Sequence, residues 1–420
     1  VAKNKYLNGI VPMVLINFSI GSVYCWTLLK DDILAFTGFG TGVTEWAFSI
    51  AVFFLGMSAA FGGKLVEKDP NKSAFWTFIT FTAGWFLTGF GVQTSSAALT
   101  LLGFGVVQGI GLGLGYITPV KTMMLWMGNR KGLAAGLSIA AFGLSGVIAN
   151  PIIAFLLERV TVYQVFYVLA TVYGVALLAS AKLLHRPPLT EADLAADAAV
   201  GAKTFSTASV ILSRKFVLLW VVFFLNITGG LALISQEKQI YNAVGIAATG
   251  LVVLFVSITA TSNLVGRLSL ASLQDNLSAK HLPYYAMTLI SIGFTVLAAA
   301  FPTNTVATVA LIVAIQFMFG VGFSCMPNIL HQNWGISRLS TVHGLILSAW
   351  AAAGLVGNQV SSFFLAGPGL RALYVALAVL YTAQLVALVA WARTRRAGGD
   401  DDADARAGEP AGLPAELLTV

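Results

Sequence analysis

The chain has two cysteines, four histidines and little charge: Asp, Glu, Lys and Arg make up 10% of its 420 residues. Each scarcity excludes something. Cys25 and Cys325 lie far apart inside apolar stretches and read as small packing residues, not as a disulfide or a thiolate metal centre. The scattered histidines have no neighbouring Asp/Glu cluster, so neither metal ligands nor a nucleophile–base pair at one depth is expected; no enzyme and no cofactor is predicted. A chain this poor in charge, 57% hydrophobic and with a mean hydropathy of +0.84, does not read as a soluble protein. The alternating strands of a membrane barrel are missing too. No cleavable signal is expected either, because the N-terminal segment leads straight into a full-length apolar run.

What is present is a succession of apolar runs, at roughly 6–29, 44–66, 74–93, 98–125, 132–156, 162–184, 216–236, 246–273, 283–301, 305–328, 341–365 and 371–392. Each is long enough to cross a bilayer, which predicts an all-α membrane protein of twelve transmembrane helices. Forty-two glycines suit close helix–helix approach in lipid. The longest connection, HRPPLTEADLAADAAVGAKTFS, is polar and reads as a solvated linker. The expected organisation is a six-helix bundle over 1–184, a cytoplasmic linker over 185–214, a second six-helix bundle over 215–396 and a disordered, acidic cytoplasmic tail over 397–420.

Charge sets the expected orientation. Of 24 Lys and Arg, eighteen fall on the side that holds both termini, and only Lys30, Arg159, Lys238 and Arg371 on the other. Both termini are therefore expected in the cytoplasm, with the protein in a plasma or bacterial inner membrane. The net charge of +7 gives no nucleic-acid reading, because the cations sit in short turns between apolar runs. Lys121 and Arg267 are the exceptions inside spans.

Arg267 stands in the run from Leu251 to Leu273, about two turns from its polar end at Asp275. A guanidinium keeps its proton, and no acid on this helix can pair with it. An anion from solution is the expected counter-charge. An internal repeat supports a two-half reading. GKLVEKDPNK follows the second run and GRLSLASLQDNLSAK the eighth, at corresponding positions of two six-span halves.

The pattern Gly63, Glu67, Lys68 and Lys72 resembles the loop signature of the major facilitator superfamily, with Glu67 for the usual Asp and Pro70 for the usual Gly. GSVYCWTLLKDDI, GIGLGLGYITPVKTMMLW, GNRKGLAAG, SNLVGR and TVHGLILSAWAAAGLVGNQ resemble the oxalate/formate antiporter family, itself related to the monocarboxylate transporters. The resemblance covers nearly the whole membrane domain. Its most specific part combines Tyr116 and Pro119 with Trp126, Arg130, Lys131 and Gly132.

The resemblance implies two pseudo-symmetric six-helix bundles and alternating-access transport of a small carboxylate. It implies that Arg267 faces a central cavity and grips the carboxylate, for which paired guanidinium hydrogen bonds are suited. It places Tyr24, Trp26 and Tyr116 around the substrate, and Phe323 where the family often has a tyrosine. Asn263, one turn before Arg267, occupies the place of an Asp that takes part in proton coupling in some monocarboxylate transporters; an amide cannot carry that proton. Trp350 replaces the family's second substrate-binding lysine. Lys121 is either a substitute for that lysine or a side chain snorkelling to the interface.

His343 reads as an interfacial or capping residue that could titrate. Asn226, Gln236 and Gln359 are further polar candidates, and Glu237–Lys238 reads as a solvated span end or a gate contact, not as a coupling site. Glu67, Lys68, Lys72 and Asp275, with Gly63, are expected at the cytoplasmic gate. All seventeen acids read as loop, tail or span-end residues, which favours anion exchange. Proton-coupled symport of lactate, pyruvate or formate is the alternative, and a transporter-like nutrient sensor a remoter one. The expected partners are a small carboxylate, protons in the symport case and the lipid bilayer, with the chain acting as a monomer.

Overall fold

The computed structural model describes residues 4–407 except 129, 201–205 and 278. Among the described residues there is no strand, and twelve helices are long and apolar enough to cross a membrane. They are Tyr6–Thr37, Thr41–Lys68, Pro70–Gln93, Ala97–Met127, Lys131–Leu157, Val162–Leu183, Arg214–Ser235, Thr249–Gln274, Leu282–Ala300, Thr305–Trp334, Leu339–Ala366 and a twelfth span, Leu370–Thr394, within a longer helix. Most exceed the apolar runs, because polar end residues continue the helix.

Local chemistry sets the breaks. Asp69 accepts a hydrogen bond from the Lys72 backbone N–H, and Pro70 opens the third span where a backbone donor would be unused anyway. Within the first span, Ser22–Cys25 tightens to a 3-10 turn, which resets the direction of Tyr24.

Two regions depart from expectation. The linker is not simply a solvated strand of chain: Glu191–Ala199 is a helix capped by Thr190, and its Asp193 and Asp197 are buried. Lys131 and the backbone N–H groups of Ile336 and Ser337 meet these acids, and that is what permits their burial. In the expected tail, the helix begun at Leu370 continues to Ala407, and 408–420 lie outside the described residues.

The first six spans form one bundle and the last six another. They meet along two seams, the second span against the eleventh and the fifth against the eighth. Close approach is possible because glycine lies at the crossings: a Cβ on Gly344 would strike the Ala59 carbonyl, and one on Gly56 the Leu347 carbonyl. Gly344→Leu should therefore destabilise this seam by about 1–3 kcal/mol. The expected result is faster labelling of a cysteine placed at Ser340; unchanged labelling would show that the seam is not a close-packed stop.

Candidate substrate site and gate

Arg267 lies where the fifth, eighth and tenth spans meet, and it is 1% exposed. Helical spacing puts Asn263 one turn before it on the same face. Arg267 Nε donates to Asn263 Oδ1 at 2.8 Å, and one terminal nitrogen donates to the Ile139 carbonyl at 2.9 Å. Asn263 in turn donates to Gln316 Oε1, and Gln316 donates to the Gly230 carbonyl. The eighth, tenth and seventh spans thus fix one guanidinium. Gly143 has no side chain to crowd it: an added Cβ would sit 3.5 Å from Arg267 Cδ and Nε.

No carboxylate among the described residues pairs with this cation. Aromatic rings surround it instead, with its central carbon 5.4 Å from the Phe323 centroid and 5.7 Å from that of Phe142. Tyr24 and Tyr116 pack edge-on against Phe142 at 5.5 and 5.4 Å. Trp350 lies 4.5 Å from Phe323 and 5.3 Å from Tyr116. The Tyr116 hydroxyl and the indole N–H of Trp350 are buried without a hydrogen-bond partner, and the Tyr24 hydroxyl, beside the Arg267 guanidinium, donates no well-formed hydrogen bond. Three orphaned donors beside a cation form an arrangement built for acceptor oxygens, since each orphan costs about 1–3 kcal/mol until it is satisfied.

The candidates from the sequence divide accordingly. Arg267, Asn263, Tyr24, Tyr116, Phe323 and Trp350 come together, and Phe142, not singled out in the sequence, joins them. His343 is buried against Tyr116 with ring centroids 6.0 Å apart, so it is neither interfacial nor a cap. Trp26 lies elsewhere: it donates to the Thr44 carbonyl and packs on Phe104 inside the first bundle. Lys121 points away from the rings, towards the end of the molecule where the linker runs. Its Nζ donates to the Ser337 carbonyl at 2.8 Å and stands 3.6 Å from Glu67 Oε2. It meets a partly buried carboxylate there and does not snorkel to open interface.

That linker face carries a candidate gate with internal symmetry. Glu67, ending the second span, accepts from the Thr341 N–H at the start of the eleventh. Asp275, following the eighth, accepts from the Gly132 and Leu133 N–H groups at the start of the fifth, at 2.7 and 2.9 Å. In each case an acid from one bundle caps the positive end of a helix in the other, satisfying donors that have no partner in their own helix. Gly63 lies against the Thr341 backbone at this crossing.

Lys68 and Lys72 stand exposed, away from the gate contacts. Arg186 of the linker occupies the turn instead and donates to the carbonyls of Val66 and Glu67. A space of about 280 Å³ opens between Lys121, Arg186 and Ser337. The linker helix bridges both bundles. Asp193 binds Lys131 at 2.6 Å, while Asp197 accepts from the backbone of Ile336 and Ser337 and from the Ser337 hydroxyl. Burial alone would raise the Asp193 carboxyl, but hydrogen bonds from Lys131 and Thr190 hold it below the ordinary carboxylate range.

Glu237 is not a solvated end. It is 8% exposed and accepts from the Thr259 hydroxyl at 2.6 Å. Burial pushes its carboxyl up to about 7, against the pull of the Thr259 and Tyr241 hydroxyls. Glu237 stays at a span end, as its position predicts, but is buried there instead of solvated.

Twelve spans in two bundles, closed around a buried guanidinium that no described carboxylate pairs with, define a membrane transporter of the two-bundle class. A sequence model of the Major Facilitator Superfamily matches residues 7–358, and the chain belongs to that superfamily. It is 25% identical over 340 residues to the uncharacterized MFS-type transporter YhjX of Escherichia coli (strain K12), covering 80% of this chain and 83% of that one. It is 24% identical to the oxalate:formate antiporter of Oxalobacter formigenes, over 86% and 84% of the two chains. Monocarboxylate transporter 13 of Rattus norvegicus is 24% identical over 76% and 72%. Among solved structures, the proton:xylose symporter XylE superposes with a TM-score of 0.72 at 12% identity, over 89% of this chain and 93% of that one. The transporter FucP in its outward conformation gives 0.66 at 16% identity, over 91% and 99%.

The gate geometry makes a direct prediction. Glu67→Gln leaves Lys121 buried without a counter-charge and should cost about 3 kcal/mol. Adding Lys121→Gln should recover much of that loss. A thermal-denaturation cycle in which the double variant is as unstable as the sum of the singles would refute the pairing.

Proposed function

We propose that this protein is a secondary transporter of a small monocarboxylate that binds at Arg267 and crosses the membrane by alternating access of the two bundles. The observation that carries the reading is the single buried guanidinium ringed by three unpartnered donors, from Tyr24, Tyr116 and Trp350. A carboxylate neutralises the cation and accepts from these donors, while the rings supply apolar walls for a short carbon skeleton. Asn263 holds the guanidinium in position. His343 stands behind Tyr116 and positions it.

One unit of substrate charge fits best. The place of a second cation in the oxalate/formate pattern is Trp350, a neutral donor, and Lys121 is engaged by Glu67. The names of the antiporter and monocarboxylate relatives support the chemical class. Exchange follows from the same electrostatics: without an anion, the carrier must occlude a naked guanidinium when it changes state, which is costly in a low-dielectric interior. With the linker face cytoplasmic, as the basic residues indicate, Glu67, Asp275 and the linker helix form the inner gate. The protein then sits in a plasma or bacterial inner membrane and works as a monomer.

Arg267→Gln should weaken formate or L-lactate binding by about a hundredfold or more while leaving an extractable, folded protein. Normal counterflow of either anion by this variant in proteoliposomes would remove the central claim. Trp350→Lys should shift preference towards oxalate, by about tenfold relative to formate, as a second cation would.

A further inference from the structure

Glu237 is a buried acid that a one-anion carrier does not use. The seventh span stops at Ser235, and the short helix Glu237–Ala243 folds the carboxyl inward against the eighth span. It meets Thr259 there, ten residues inside the start of that helix at Thr249. The surroundings are apolar: Leu233, Ile240, Val252 and Ile312 belong to the same buried cluster.

The polar and titratable groups around the carboxyl are few. Tyr241, on its own helix, lies beside it with a buried hydroxyl that has no well-formed hydrogen bond. Thr259 faces it from the eighth span. Tyr374 of the twelfth span lies near Tyr241, and its hydroxyl bonds to that of Thr308 on the tenth at 3.1 Å. Lys238, next in sequence, is exposed. No Lys, Arg or His among the described residues pairs with Glu237. A carboxyl buried without a cation favours its neutral form, which puts a proton on it.

Thr259, Asn263 and Arg267 are spaced four and eight residues apart on one helix face, so about 12 Å of rigid helix separates the Thr259 contact from the guanidinium. We propose that Glu237 is a proton-binding site whose occupancy sets anion affinity at Arg267, so that proton and carboxylate bind cooperatively. The inference rests on the anion site proposed above. When ionised, Glu237 offsets part of the field of Arg267; when protonated, it leaves that field to the substrate. At about 12 Å and an effective dielectric constant of about 20, the difference is about tenfold in affinity. Linkage is reciprocal, so a bound anion strengthens proton binding by the same factor.

The sign is therefore fixed. Anion affinity should fall as pH rises through the range where burial has placed Glu237. Formate suits the test, because its own carboxyl stays ionised from pH 6 to 8. Formate binding to the purified protein, read by tryptophan fluorescence, should weaken about fivefold across that interval, with the tenfold limit reached only beyond it. Glu237→Gln, which keeps the Thr259 hydrogen bond, should bind at the acid-limb affinity throughout. Thr259→Val removes a donor to the carboxylate and should move the transition to higher pH.

Infrared difference spectra between the two pH values should show a protonated-carboxyl band that Glu237→Gln abolishes. A variant with the wild-type pH profile, or spectra without a Glu237-dependent band, would overturn the proposal. If formate fails to bind at any pH while the Glu237 band still titrates, the anion reading at Arg267 fails and the cooperative link falls with it. Binding that is independent of pH beside a titrating band would leave the anion site standing and remove the coupling.

Discussion

A guanidinium that cannot lose its proton is held at 1% exposure in the middle of a membrane protein, and no described carboxylate answers it. Much of the centre is arranged around that constraint. Asn263 and the Ile139 carbonyl take two of its donors, and Phe142 and Phe323 turn their rings towards it. Such partners orient a cation without cancelling its charge, which leaves the positive potential available to a ligand. An acid at position 263 would have satisfied the arginine locally and weakened its hold on anything from solution.

The linker face treats charge in the opposite way. There Glu67 and Asp275 are matched to helix N-termini, Lys121 to Glu67, and Asp193 to Lys131. Satisfied charges make a closed end that can be reopened without stranding large apolar surfaces. The linker helix adds contacts that depend on both bundles being near, because Asp193 reaches the fifth span while Asp197 reaches the turn before the eleventh. The centre and the linker face thus differ in kind: one cation is left waiting, and several are already answered.

Periodicity and apolar length made the twelve spans legible, and Arg267 was conspicuous because a fixed cation inside an apolar run is costly unless something answers it. Its aromatic neighbours were legible only through family likeness, and Phe142 not at all, since a phenylalanine in a lipid-soluble helix carries no mark of which neighbour it will face. Lys121 illustrates the same limit. Its depth was readable, but its direction depended on Glu67, more than fifty positions earlier in the chain. Glu237 and the linker acids were misjudged for a common reason. Sequence shows a polar residue near a helix end, whereas burial is decided by donors such as Thr259 or the Ile336 N–H, supplied from distant segments.

The seams between the bundles are made largely of backbone, with Gly56 and Gly344 set against carbonyl groups of the facing helix. Backbone surfaces are alike whatever the cargo, whereas the central box is written mainly in side chains. Substrate preference and the moving parts are therefore nearly independent inheritances. A lineage can exchange one ring or one cation at Trp350 and acquire a new nutrient, while the joint that does the moving passes through unaltered.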